Sequence, residues 1–136
     1  MKTCKLLCIL TLVLLTFNCS SDDDSGLNPA TVQALLTSGK WYQESRMPGS
    51  YTDCEKLSYV QFFNNGNFNL ESFIDEEEDC TSLGIIAATY TLANDMTITI
   101  NFEGDNLPVE IVSISENLLT ITTAENETLV FDKTEG

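Results

Sequence analysis

The chain has 136 residues, enough for one domain of ordinary size, with six Lys or Arg against 21 Asp or Glu and a formal charge of −15. That balance excludes nucleic acid, which needs clustered Lys and Arg, and electrostatic docking on an anionic membrane. There is no histidine, so Ser-His-Asp and Cys-His catalysis and His-ligated metals are excluded as well. At 43% hydrophobic residues the chain is nonetheless rich enough in apolar side chains to fold.

The N-terminus reads as a targeting segment. Lys2 and Lys5 precede an uncharged run from Leu6 to Phe17, 12 residues long. A bilayer-spanning helix needs about 20 residues, so this is a secretory signal and not an anchor helix. The run ends at Leu15-Thr16-Phe17-Asn18-Cys19, which resembles a bacterial lipobox, with Asn18 in place of the usual small residue. The following Ser20-Ser21-Asp22-Asp23-Asp24-Ser25 resembles the export tether of Bacteroidetes surface lipoproteins. The resemblance implies cleavage before Cys19, acylation of Cys19 and an outer-membrane, surface-exposed location. The expected organisation is a signal peptide over 1–18, a lipidated acidic tether over 19–26 and one domain over 27–136. Loss of Lys2 and Lys5 leaves four basic residues against 21 acidic ones. The tether has no apolar residue to bury and reads as a flexible spacer.

The domain opens with a helix over 27–38. Asn28 can cap it, Pro29 suits its first position, and Gly39 suits the position past its end. Leu27 and Val32 stand at the positions of a hydrophobic staple, and Val32, Leu35 and Leu36 form an apolar stripe. From Lys40 the period changes to two, as in Met96, Ile98, Ile100 and Phe102 alternating with Thr97, Thr99 and Asn101. Turn signals such as Asn64-Asn65-Gly66 and Ala93-Asn94-Asp95 punctuate the chain. Eight strands follow, at 40–46, 57–63, 68–74, 85–92, 96–102, 108–115, 118–123 and 128–133. Short connections join antiparallel neighbours, which favours an all-β, up-and-down barrel with the helix plugging one end.

Of five cysteines, Cys4 and Cys8 leave with the signal and Cys19 takes the lipid. Cys54 and Cys80 remain, an even pair in an oxidising compartment with no Cys-x-x-Cys, and they read as a structural disulfide. The acidic run Asp75-Glu76-Glu77-Glu78-Asp79 has carboxylates that suit Ca²⁺ but lacks the spacing and glycine of a calcium loop, so it reads as a solvated loop. No residue pattern calls for a cofactor, and no acid/base pair or nucleophile with a base partner is present, so catalysis is not expected.

Gly39-Lys40-Trp41 at the first strand resembles the Gly-x-Trp motif of lipocalins. Phe62-Phe63-Asn64-Asn65-Gly66-Asn67-Phe68 resembles the next hairpin of the small lipocalin-like domains of Bacteroidetes lipoproteins. Ala88–Leu92 with Met96–Ile100, and Leu129–Lys133, resemble later hairpin strands and the closing strand. The likeness covers about 36–133. It implies a small eight-stranded lipocalin-like barrel, Trp41 at the closed end against Lys133, and a small apolar ligand in a cavity lined by Tyr90, Met96, Ile98 and Ile100 or their neighbours. With a short chain, the alternative is an interior filled by side chains and an acidic surface turned to a protein partner. Cavity volume separates the two.

Overall fold

A computed structural model of the protein describes residues 29–94 and 96–136. The signal peptide, the acylation site Cys19, the tether, the Asn28 cap and the Leu27 half of the staple lie outside the described residues. No helix among the described residues is long and apolar enough to cross a membrane.

One helix precedes eight strands: α1 (Pro29–Leu36), β1 (Lys40–Met47), β2 (Tyr59–Phe62), β3 (Asn67–Glu76), β4 (Asp79–Ala93), β5 (Thr97–Phe102), β6 (Asp105–Ile114), β7 (Leu118–Thr123) and β8 (Thr128–Asp132). Each strand pairs with its sequence neighbour, and β8 returns antiparallel to β1, from Tyr42 opposite Asp132 to Met47 opposite Thr128. The sheet closes into an up-and-down barrel, which leaves no edge strand unpaired. Period-two alternation supplies the core: Phe62 and Phe68 are directly opposed, as are Ile111 and Ile121, and Leu119 and Phe131. Trp41, Leu36, Ile98, Leu119 and Val32 are completely buried.

The helix is shorter than the punctuation predicts. Thr37 and Ser38 fold their hydroxyls back onto the Gln33 and Leu35 carbonyls, which satisfies the last turn. Gly39 then takes φ +135°, a conformation that costs a side-chain-bearing residue strain. The acidic run is not a loop either. β3 extends to Glu76 and β4 begins at Asp79, so the run forms the tip of a long hairpin, with Glu77 at φ 57°. Ladder pairing outweighs the low strand propensity of the acids. β6 likewise starts early and takes in Pro108 opposite Thr99.

The strand that falls furthest short of its expected length is β2, which has only four residues. Above Tyr59 the barrel wall between β1 and β3 is completed by residues 48–58, including a 3₁₀ turn at Glu55–Leu57. Side chains replace the missing ladder: the Phe73 amide donates to Ser58 Oγ, and Thr52 Oγ1 donates to Asp75 Oδ2. The Cys54–Cys80 disulfide fastens this segment to β4, closing a sequence separation of 26.

The two ends of the barrel differ. At one, α1 lies across the opening: Gln33 Nε2 donates to Tyr90 Oη, which itself donates to the Phe63 carbonyl. At the other lie the turns after β3, β5 and β7 and the segment 48–58, with no helix across them among the described residues.

Candidate functional site

The closed end is built on Trp41. Its indole N–H donates to the Leu36 carbonyl at 2.9 Å, so a buried ring ties the helix terminus to the first strand. Lys133 Nζ lies 3.4 Å from the centroid of the same ring and 3.3 Å from the Lys40 carbonyl, to which it donates. Burial pushes the Lys133 ammonium down from 10.5 to about 8, while the π face and the carbonyl favour the charged form. The unfolded chain therefore holds the extra proton between about 8 and 10.5, and this group adds stability as pH rises through that window. Lys133→Met is expected to lose that gain. Urea midpoints of both proteins at pH 7.5 and 9.5 measure it, and identical pH slopes would rule the assignment out.

The open end leads into an apolar cup of about 290 Å³. Val60, Phe68, Leu70, Ile86, Ala88, Ile100, Phe102, Leu107, Val109, Ile121, Leu129 and Phe131 line it, with Gln43 the one polar residue in its wall. The interior is thus not filled by side chains. Ile86 and Leu107 at the rim are 41% and 52% exposed, so the apolar surface continues to the mouth.

Of the residues expected to line the cavity, Ile100 does. Tyr90, Met96 and Ile98 do not. Tyr90 is buried under α1, held by Gln33 and packed edge-on against Phe62 with ring centroids 5.0 Å apart. Ile98 is wholly buried in the core, and Met96 packs against that core from the β4–β5 turn. Ile98, Ile100 and Phe102 share one face of β5, but only the upper two reach the cup.

A second chamber, of about 360 Å³, lies behind the segment 48–58. Gln43 and Leu129 line both chambers. The rest of its wall is largely polar: Arg46, Tyr51, Glu55, Ser58, Ser72 and Glu127, with Phe73, Ile74 and Leu83. Arg46 Nη2 pairs with Glu127 Oε1 at 3.1 Å, and its guanidinium faces the Tyr51 ring at 5.6 Å. Arg46 Nε is buried without a hydrogen-bond partner. The sequence offered no local signal for this chamber, because Arg46 and Glu127 are 81 positions apart and meet only through the β1–β8 closure.

Asp75 pairs across with Cys80 and Glu76 with Asp79, and no group of three or more candidate ligands comes together among the described residues.

Several solved structures are similar to this chain. A lipocalin-like protein from Bacteroides uniformis is 14% identical, covers 74% of this chain and 99% of its own, and superposes with a TM-score of 0.56. The odorant-binding protein from bovine nasal mucosa is 17% identical over 85% of this chain and 79% of its own, with a TM-score of 0.43. The bovine lipocalin allergen Bos d 2 is 10% identical over 81% and 77%, with a TM-score of 0.44. Among curated proteins, none matches in sequence. The family model described as lipocalin-like domain matches residues 37–121, well over half of the chain. A closed eight-stranded meander, a helix across one end and an apolar cup at the other accompany that match, and the chain belongs to the lipocalin-like domain family.

Proposed function

We propose that the domain is a carrier or receptor for one small apolar molecule, held in the cup, and not a catalyst. The observation that carries this reading is a cavity of about 290 Å³ whose wall is apolar except for Gln43. Its volume is near the lower end of small-molecule sites, roughly 300–1,000 Å³. Burial of an apolar ligand there gains about 25 cal/mol per Å², and Gln43 is the one wall residue whose polar group it would cover. An environment-sensitive uncharged dye, N-phenyl-1-naphthylamine, is expected to bind the native domain saturably, one per chain. Ala88→Phe, which pushes a ring into the cup, weakens that binding by more than about tenfold, the equivalent of about 1.4 kcal/mol. Absence of saturable binding, or binding indifferent to the substitution in a folded variant, would sink the reading.

The sequence supports an outer-membrane, surface-exposed lipoprotein of the Bacteroidetes type, anchored through Cys19. The support is the 12-residue apolar run, its end at Cys19 and the acids behind it. Three acyl chains anchor firmly, since each buried methylene contributes about 0.8 kcal/mol. Cys19→Ala is expected to leave the protein unprocessed or soluble. Normal processing with retention in the detergent-extracted membrane fraction would refute the anchor.

A further inference from the structure

We propose that the polar chamber behind residues 48–58 is a head-group subsite, and that the ligand is an uncharged amphiphile. Its single hydrocarbon chain fills the cup, and its alcohol, aldehyde, ester or amide head reaches past Gln43 toward Tyr51 and Arg46. This rests on the cup being a binding site and adds the chemistry of the ligand's other end.

Adjacency is the first argument. Gln43 and Leu129 belong to the walls of both chambers, so the two lie side by side and a ligand reaching from one into the other passes these two side chains. The polarity changes at that junction. Twelve apolar residues lie on one side, and Arg46, Tyr51, Glu55, Ser58, Ser72 and Glu127 on the other. A purely apolar ligand would leave the second chamber to water. A ligand with one polar end matches both.

Charge selects the head. Arg46 is already neutralised by Glu127 at 3.1 Å, and Glu55 adds a further carboxylate to the wall. A carboxylate head would enter a lining with two acids and one base, in a chain with a formal charge of −15. An ammonium head would compete with Arg46 for Glu127. A neutral head meets neither cost. It also finds hydrogen-bonding groups to use: the Gln43 amide makes no side-chain hydrogen bond among the described residues, and Glu127 does not saturate the Arg46 guanidinium, whose Nε is unpaired. Tyr51 stays a neutral donor, because burial raises its phenol above the ordinary value by more than the nearby Arg46 lowers it.

The test uses the folded wild-type domain and the Arg46→Met, Tyr51→Phe and Gln43→Leu variants. Displacement of N-phenyl-1-naphthylamine is measured with 1-decanol, methyl decanoate, sodium decanoate and decylamine. The alcohol and ester are expected to displace the dye at lower concentration than either ion. Comparison between variants removes the difference in water-to-oil transfer among probes, which is the same for every protein. Each substitution should weaken the alcohol about five- to tenfold more than it weakens the dye, the loss of one hydrogen bond. Decanoate binding as well as decanol, or variants that weaken dye and alcohol alike, would overturn the subsite and leave the cup intact. A domain that binds neither dye nor any decyl probe overturns both.

Discussion

Trp41→Ala is expected to cost the domain about 4 kcal/mol, the upper range for removal of a buried aromatic ring. Two losses combine. The ring is wholly buried where α1 meets β1, so its removal leaves a void that a closed sheet cannot collapse around. The Leu36 carbonyl also loses its indole donor, and Lys133 loses the face it covers. Small domains have about 5–15 kcal/mol in total, so the variant should be close to unfolding at 37 °C. Trp41→Phe separates the terms: the ring stays and the hydrogen bond goes, at about 1–2 kcal/mol. Urea denaturation followed by far-UV circular dichroism suits both, since Trp41 is the only indole in the chain. A cost below about 1 kcal/mol for the alanine variant would mean that the closed end is held by other contacts.

Removal of the disulfide, as Cys54→Ala with Cys80→Ala, is expected to cost about 3.5 kcal/mol in the chain-entropy account, given a separation of 26 residues. For a domain of this size that is a fall in Tm of roughly 15 °C or more. The effect should be local before it is global. The bond fastens the segment that substitutes for the upper part of β2, so amide exchange should accelerate first at Ser58 and Phe73, where a side chain stands in for the ladder. Wild-type protein under reducing conditions should reproduce the shift. Free-thiol labelling of both cysteines in the native domain would show that the bond is not formed.

Much of the architecture is legible in the chain. Eight period-two segments with short turns between them leave an antiparallel meander as the simplest arrangement. An isolated cysteine pair, in a domain expected to be exported, yields the bond that the structure contains. Gly39 and Trp41 mark the junction of helix and barrel. What the alternation does not carry is height along the barrel axis. Tyr90, Ile98 and Ile100 have the inward parity, yet Tyr90 and Ile98 belong to the packed end and Ile100 to the cup. Height follows from strand stagger, which depends on bulges such as those between Glu71 and Phe73 and between Gln43 and Ser45. Composition also misleads at 75–79, where five acids read as loop but Asp75, Glu76 and Asp79 pair in a hairpin with Glu77 and Glu78 at its turn. The polar chamber is the least legible of all. Its members come from β1, β3, β4, β8, the turn before β8 and the connection after β1, and no stretch of sequence holds more than a few of them.

The position of α1 gives the molecule a direction. The helix that stops the closed end is also the first described element, so the chain enters the domain at its sealed base. Anything that tethers the protein upstream of Pro29 is therefore joined to the side of the sealed base, and the helix does not stand in the way of a molecule that approaches the rim. A flexible tether there would leave the domain free to turn, so its length would widen the range of heights and orientations that the rim can take.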